Sequence, residues 1–173
     1  MSLKDLFDRK SLKRILSRAR RKRIAELKDD LDNVLFLDYD GVVSLEFSME
    51  LLRSVMDKSC IENVNKLCKK FDLKIVVISS WKNESYYQDM LYEGGLDKDI
   101  EILGKTDELY GPREEEVKKY LEDHIYIDKF VVLDDRVYRE LRDYQVKPDS
   151  HIGFDEEKYN EAVELLKKQR SNK

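Results

Sequence analysis

Three short apolar runs, each ending in acidic or hydroxyl residues, constrain the fold of this 173-residue chain more than any other feature. The runs are NVLFLD at 33–38, KIVVISS at 74–80 and KFVVLDD at 129–135. Continuous apolar runs of this length are typical of strands that are buried on both faces of a parallel sheet. We therefore predict three parallel strands whose polar ends lie at one edge of the sheet.

The segments between these runs carry apolar residues at helical spacing. Helices are predicted over 49–72, over 84–94, over 113–124 behind Pro112, and over 155–170 with Asp155 as the N-cap. Two shorter runs, IEILG at 100–104 and HIGF at 151–154, are predicted as additional strands. Alternation of strands and helices predicts a doubly wound, three-layer, Rossmann-like α/β fold with a parallel sheet.

The charge of the chain is unevenly distributed. The net charge is −4, but residues 1–28 carry eleven Lys and Arg against three acidic residues, a net of +8. Nine of the fifteen residues in 9–23 are basic, and apolar residues at helical spacing predict an amphipathic helix there. Such a helix binds nucleic acid, an anionic membrane surface or an acidic partner, or docks on its own domain with a solvated basic face. We predict a basic arm over 1–32 and a catalytic domain over 33–170.

Two absences in the sequence bear on location. No apolar run approaches the roughly 18 residues of a membrane span. The basic N-terminal residues are not followed by the hydrophobic stretch of a secretory signal. We therefore expect a cytoplasmic protein, and the sequence gives no prediction of its oligomeric state.

The polar residues that end the predicted strands point to a metal site. The carboxyl ends of parallel strands share one edge of the sheet, so six side chains should meet there: Asp38, Asp40, Ser79, Ser80, Asp134 and Asp135. Four carboxylates in one place repel each other unless a cation joins them. Oxygen ligands without histidine or thiolate suit Mg²⁺ better than Zn²⁺.

The same motifs resemble a known family. DYDGVV, VVISS, a basic residue before the last central strand, and VVLDDR resemble the four motifs of the haloacid dehalogenase (HAD) superfamily, in that order. The segments ISSWK, GPREEEVKKYL and VKPDSHIGFDEEKYNEAVELL are similar to the HAD domain of Swiss Army Knife RNA-repair proteins. The resemblance covers roughly residues 33–168. It implies a Mg²⁺-dependent phosphohydrolase that acts on phosphate monoesters through an aspartyl-phosphate.

The resemblance also implies roles for individual residues. Asp38 is expected to be the nucleophile, and Asp40 is expected to protonate the leaving oxygen and later deprotonate water. Ser79 is expected to donate a hydrogen bond to the phosphoryl group, and Gly41 to let the backbone turn close to it. The expected Mg²⁺ ligands are the carboxylates of Asp38, Asp134 and Asp135, with the backbone at Asp40.

The basic residue of the third motif is ambiguous in the sequence. Arg113 opens the helix before the last central strand, where the family's basic residue usually lies, and Lys82 and Lys105 are the competing candidates. The predicted substrate contacts are those of Gly41, Ser80, Lys82 and Lys105. Trp81 is interpreted as a packing residue or a wall of the pocket.

Motif spacing limits what covers the site and leaves alternatives open. The predicted helices and strands fill the intervals of 41 residues between Asp38 and Ser79 and 55 between Ser79 and Asp134, so we expect a minimal cap or none. An open site suits bulky substrates such as nucleic-acid ends or phosphoproteins, although a small phosphometabolite is also compatible. The alternative functions are a receiver-like phospho-aspartate signalling module and a non-catalytic interaction module. The order of the motifs, DxD first and DD last, favours the phosphatase.

Overall fold

A parallel five-stranded sheet forms the centre of the molecule in the computed structural model, which describes residues 31–169. The strands are, in chain order, β1 (Asp32–Leu37), β2 (Ser44–Ser48), β3 (Arg53–Met56), β4 (Leu73–Val77), β5 (Ile102–Lys105), β6 (Ile127–Leu133) and β7 (Gln145–Val146). The order across the sheet is β5-β4-β1-β6-β7, whereas β2 and β3 form a separate antiparallel hairpin. The strand β1 is therefore central, between β4 and β6.

Helices cover both faces of the sheet. They are α1 (Lys58–Phe71), α2 (Tyr87–Glu93), α3 (Arg113–Asp123) and α4 (Glu156–Lys168). One face of β1 packs Leu35 and Leu37 into a core with residues of α1, α2 and α4, and the other packs Val34 and Phe36 against α3. This alternation follows from the period of two in a strand, and it explains why the run is apolar throughout. The predicted doubly wound three-layer α/β fold is confirmed.

The three central strands and the strand predicted at 100–104 are confirmed, with small shifts of their ends. The helices predicted over 84–94, 113–124 and 155–170 form as α2, α3 and α4. Asp155 caps α4 as expected, because its carboxylate accepts the backbone N–H of Lys158 at 3.0 Å.

The helix predicted over 49–72 is wrong in its first third. Residues 49–52 form the turn of the β2–β3 hairpin, and the helix begins only at Lys58, capped by Asp57. Leu52 lies in the left-handed region with φ of 50°, which a helix does not accommodate. The hairpin is favoured because the buried Ser54 of β3 lies over the carboxyl end of β1, where its hydroxyl reaches Asp40.

The strand predicted at 151–154 is also wrong. The last strand of the sheet is β7, which pairs in parallel with β6. Residues 149–153 instead form a tight turn, in which the N–H of Gly153 donates to the carbonyl of Asp149 at 2.8 Å. Gly153 has φ of +75°, and the glycine makes this turn possible.

Two further predictions concern a cap over the site and the basic N-terminal arm. Within residues 31–169 the connections between sheet strands contain a hairpin but no separate cap domain, in agreement with the expected minimal cap. The basic segment 9–23 of the predicted arm lies outside the described residues. Among the helices of the described part, none is both long and apolar enough to cross a membrane.

Candidate active site

The predicted site residues lie at the carboxyl edge of the sheet, where the central strands end. Asp38 directly follows β1, Asp134 and Asp135 directly follow β6, and Ser79 lies two residues beyond β4. The N–H of Asp38 donates to the carbonyl of Leu133 at 2.9 Å, which holds the ends of β1 and β6 side by side. Parallel pairing thus brings together residues that are almost 100 positions apart in the chain.

Three carboxylates and one guanidinium form a compact group, which we call the site cluster: Asp38, Asp134, Asp135 and Arg113. One oxygen of each carboxylate lies within 4.8 Å of an oxygen of each of the others. Nη1 of Arg113 lies 2.5 Å from Oδ2 of Asp38 and 3.0 Å from Oδ2 of Asp134. Asp38, Asp134 and Arg113 are buried, and Asp135 is half-buried. One cation therefore faces three carboxylates in a poorly solvated place.

The pKa values of the site cluster reflect burial first and the charge imbalance second. Burial and the neighbouring Asp134 raise the pKa of Asp38 to about 6, against the opposing effect of Arg113. Burial and Asp134 also raise the pKa of Asp135, against the opposing effects of Arg136, Arg113 and Lys147. For Arg113, burial opposes the charge, but Asp38 and Asp134 raise its pKa above the ordinary value, so it stays protonated. The cluster thus lacks positive charge even with Arg113 in place.

Asp134 is fixed from several sides. Its Oδ2 accepts the hydroxyl of Tyr138 at 2.9 Å as well as Arg113, and its Oδ1 accepts the N–H of Arg136 at 2.9 Å. The amide of Gln145 donates to the backbone carbonyl of Asp134 at 3.0 Å. These contacts keep the carboxylate in one orientation, as a metal ligand requires.

The loop that carries Asp135 is anchored by a helix residue. Glu114, the second residue of α3, accepts the backbone N–H groups of Arg139, Glu140 and Leu141 at 3.1, 2.7 and 2.6 Å. Three hydrogen bonds to one buried carboxylate tie the segment after β6 to the start of α3. The helix start therefore supplies both Arg113 and the anchor of the opposing loop.

Gly41 lets the loop after β1 pass close to Asp135. Its φ is +74°, and a Cβ built there would lie 2.6 Å from Oδ2 of Asp135 and 3.0 Å from Cβ of Ser150. Any side chain at this position would both strain the backbone and displace a carboxylate of the site cluster. The glycine of the first motif is therefore required by the contact between the loop and the cluster.

Asp40 lies near the cluster in sequence but has its own partners. Its Oδ1 accepts the hydroxyl of Ser54 on β3, and its Oδ2 accepts the indole N–H of Trp81 at 2.9 Å. The ring of Trp81 stacks on Phe47 of β2, with centroids 6.1 Å apart and planes at 24°. The hairpin thus reaches Asp40 both directly and through Trp81.

Ser79 and Ser80 differ in exposure. Ser79 is fully buried, and its Oγ accepts the N–H of Trp81 at 3.4 Å, which begins the short 3-10 helix Ser80–Asn83. Ser80 is exposed. A hydroxyl that accepts one weak hydrogen bond keeps its own proton available to donate.

Lys82 belongs to a second buried group, which we call the lysine cluster: Lys82, Thr106 and Glu116. The ammonium of Lys82 pairs with Glu116 and donates to Oγ1 of Thr106 at 3.1 Å, and Thr106 donates to Glu116 at 3.0 Å. Lys105 donates to the backbone carbonyl of Lys82 at 2.8 Å and lies over the ring of Tyr87. Of the three candidate cations, Arg113 is the one that contacts the site carboxylates.

Sequence reasoning missed several residues that position the site: Ser54, Glu114, Tyr138 and Gln145. It also interpreted Trp81 as a packing residue or a wall of the pocket, and did not foresee that the indole N–H contacts Asp40. Tyr138 follows Asp134 by four residues and Trp81 follows Ser79 by two, so their proximity to the motifs was the available signal. Ser54 had no such signal, because its segment was interpreted as helix.

One family of known proteins matches most of this chain. The family model described as the HAD domain in Swiss Army Knife RNA repair proteins matches residues 34–159, more than two thirds of the chain. The comparisons with curated proteins and with solved structures gave no match. The matched region runs from β1 into α4 and contains every residue of the site cluster. The chain therefore belongs to the family of HAD domains found in Swiss Army Knife RNA repair proteins.

Proposed function

We propose that this protein is a Mg²⁺-dependent phosphohydrolase that cleaves phosphate monoesters through an aspartyl-phosphate on Asp38. The observation that carries the proposal is the site cluster, in which three converging carboxylates share one buried guanidinium. Membership of the HAD superfamily supports the reaction class. A non-catalytic interaction module would have no need of this unbalanced charge, and the order of the motifs, DxD first and DD last, favours the phosphatase over a receiver-like module.

The donor set fits Mg²⁺. Asp38, Asp134 and Asp135 offer oxygen atoms alone, and repulsion from Asp134 adds to burial in raising the pKa values of Asp38 and Asp135. The three carboxylates would hold the ion, with Gly41 leaving room for Asp135. When bound there, Mg²⁺ supplies positive charge to a phosphoryl group beside an anionic nucleophile.

The proposed reaction has two steps, in which Asp38 is the nucleophile and Asp40 transfers protons. A carboxylate oxygen of Asp38 bonds to phosphorus as the bond from phosphorus to the leaving oxygen breaks, and the carboxyl of Asp40 gives its proton to that oxygen. Asp40 then takes a proton from water as the water oxygen bonds to phosphorus and the bond to Asp38 breaks. The products are an alcohol and inorganic phosphate, and both aspartates return to their starting states.

The neighbouring residues are proposed to hold the nucleophile and the phosphoryl group. Arg113 fixes the carboxylate of Asp38 and places a positive charge at the cluster. The free proton of Ser79 suits a hydrogen bond to a phosphoryl oxygen, and Ser80 is exposed to solvent. We propose Arg113 as the cation of the third motif. Lys82 and Lys105 are left out of the substrate contacts, because their ammonium groups are engaged elsewhere.

The proposed substrates are phosphate groups at RNA ends. The description of the family, which refers to RNA repair, supports this class. The exposed large apolar side chains of the described residues also support it, because all lie on segments that follow the carboxyl ends of sheet strands: Phe47, Met49, Leu51, Leu52, Val55, Tyr110, Val137 and Ile152. Apolar and aromatic surfaces beside a phosphate site suit unstacked bases. The basic segment 9–23 is proposed to add phosphate contacts.

The test is hydrolysis of p-nitrophenyl phosphate and of phosphorylated oligoribonucleotides by the full chain. We expect activity with Mg²⁺, none with excess chelator, and loss of at least about a thousandfold in Asp38→Asn. Glu164→Gln, which changes an exposed carboxylate of α4, is the control and should retain full activity. Full activity of Asp38→Asn would refute the nucleophile. Replacing Arg20, Arg21, Lys22 and Arg23 with glutamine should weaken activity on the oligonucleotides alone.

A further inference from the structure

The carboxylate of Asp40 is held on both oxygens by side chains from other segments. Ser54 of β3 donates to Oδ1, and Trp81 donates to Oδ2 from the short helix after Ser79. Asp40 itself is exposed, so water could satisfy it without either residue. Two dedicated donors on an exposed carboxylate therefore indicate a required orientation.

The β2–β3 hairpin contributes to both hydrogen bonds that hold Asp40. Phe47 and Ser54 are directly paired across β2 and β3, so their side chains lie on the same face of the hairpin. Ser54 reaches Asp40 itself, whereas Phe47 stacks on the ring of Trp81. Ser54 is buried, in contrast to its neighbour Val55 on the opposite face. Hairpin, indole and carboxylate thus form one connected unit.

We propose that Ser54 and Trp81 are positioning residues that aim the carboxyl of Asp40 at the leaving oxygen, so that the hairpin determines how well the enzyme expels poor leaving groups. This inference rests on the proposed function, in which Asp40 is the general acid. An indole N–H only donates, so Oδ2 remains an acceptor whether or not Asp40 carries a proton. The hydroxyl of Ser54 can rotate to donate or accept, so the two partners can hold the group with or without its proton.

The proposal predicts a dependence on the leaving group. As the bond from phosphorus to the leaving oxygen breaks, the electron pair stays on that oxygen, which takes the proton of Asp40. An alkoxide needs this proton, whereas p-nitrophenolate is stable without it. General acid catalysis contributes about 10²–10⁴-fold where it is needed. Loss of the positioning residues should therefore slow transfer of the phosphoryl group to Asp38 from alkyl esters and spare its transfer from the aryl ester.

The test measures kcat/KM for glycerol 2-phosphate and p-nitrophenyl phosphate in Trp81→Phe and Ser54→Ala. This ratio reports the steps up to departure of the leaving group and not the later hydrolysis of the aspartyl-phosphate, in which Asp40 acts as the base. We expect kcat/KM for the alkyl ester to fall about tenfold or more, and kcat/KM for the aryl ester to change less than about twofold. Ser44→Ala is the matched control, since this buried hairpin hydroxyl donates to the carbonyls of Glu46 and Val55 instead. It should leave the ratio of the two rates unchanged.

A double mutant separates positioning from general damage to the fold. In an Asp40→Asn background, Trp81→Phe should cause no further loss specific to the alkyl ester, because the acid is already absent. A further alkyl-specific loss would overturn the proposal. An equal fall in kcat/KM for both esters in Trp81→Phe alone, or no fall for either, would also overturn it.

A second measurement does not depend on activity. Trp81 is the only tryptophan of the chain, so its indole N–H gives a single side-chain signal in a ¹H–¹⁵N spectrum. We expect the signal to shift in Asp40→Ala and to stay in place in Asp99→Ala, a change at an exposed aspartate before β5. An active chain whose indole signal does not shift overturns the positioning alone. A chain without Mg²⁺-dependent activity overturns the proposed function, and with it the catalytic meaning of the contact.

Discussion

The site cluster and the lysine cluster are two buried ionic groups that share one helix. Arg113 and Glu116 stand three residues apart on α3, and each pairs with residues that follow sheet strands. In the lysine cluster one ammonium pairs with one carboxylate, and the hydroxyl of Thr106 forms hydrogen bonds with both. The site cluster sets three carboxylates against one guanidinium, a formal charge of −2.

This difference in charge balance separates a structural group from a functional one. A buried pair with matched charges and filled hydrogen bonds needs nothing further, and removing either partner leaves an uncompensated charge. An unbalanced group is only partly neutralised, and we propose that it retains affinity for another cation. Burial is the main cause of the raised pKa of Asp38, and repulsion from Asp134, which reflects the imbalance, adds to it. The comparison leads to three mutational predictions.

The largest expected effect is on the stability of the lysine cluster. Lys82→Met should lower the free energy of unfolding by about 3–5 kcal/mol, because Glu116 stays buried without its counter-ion. The kcat of the folded protein should be nearly unchanged. Urea denaturation measures the loss, and the double variant with Glu116→Met should recover much of it. A loss of kcat without loss of stability would place Lys82 in the site after all.

Arg113 should behave in the opposite way. Arg113→Met should lower kcat/KM for p-nitrophenyl phosphate by about 10²–10³-fold, or about 3–4 kcal/mol, because the group that fixes Asp38 and stabilises charge is gone. Arg113→Lys should retain a larger share of the activity, since lysine keeps the positive charge but lacks the planar guanidinium that can contact two carboxylates at once. Steady-state kinetics at saturating Mg²⁺ checks both. Equal activity of Arg113→Met and the wild type would exclude Arg113 as the third-motif cation.

A smaller effect is expected on the stability of the metal-free site cluster. The folded chain binds a proton at Asp38 more tightly than the unfolded chain, because the pKa is raised to about 6. Ionisation of Asp38 therefore costs stability, and the cost appears as the pH rises from about 4 to about 6. In chelator at pH 7.5, Asp38→Asn should be more stable than the wild type by about 1–3 kcal/mol.

The pH dependence gives this prediction its control. Near pH 4, Asp38 is protonated in the folded chain and about half protonated in the unfolded chain, so the advantage of Asp38→Asn should nearly disappear. Thermal unfolding at pH 4 and pH 7.5 measures both values. Destabilisation by the same amount at both pH values would show that the asparagine acts through lost contacts rather than lost charge.

The sheet and the acidic residues of the site were predictable from the sequence. Apolar runs identify buried parallel strands, and parallel strands share their carboxyl edge, so Asp38 and Asp134 had to lie close together. These inferences depend on backbone geometry alone. They hold for any chain with the same pattern.

The hairpin and the choice of cation were not predictable in the same way. Residues 49–56 carry apolar side chains at helical spacing, but the partners of Ser54 and Phe47 lie in other segments and decide the conformation. Arg113 and Lys82 both lie on segments next to strands that carry site residues, and only their ion-pair partners distinguish them. Side-chain pairing across the fold carries this information, and the local sequence does not.

The central claim is that the unbalanced site cluster binds a divalent cation, and titration of Mg²⁺ into the metal-free protein tests it most directly. Isothermal titration calorimetry should give one saturable site per chain in the wild type and in Glu164→Gln, which alters a surface carboxylate. Asp135→Asn should lose most of the affinity, because it removes one of three ligands. Absence of Mg²⁺ binding in the wild type, or equal binding by Asp135→Asn, would contradict this account of the site.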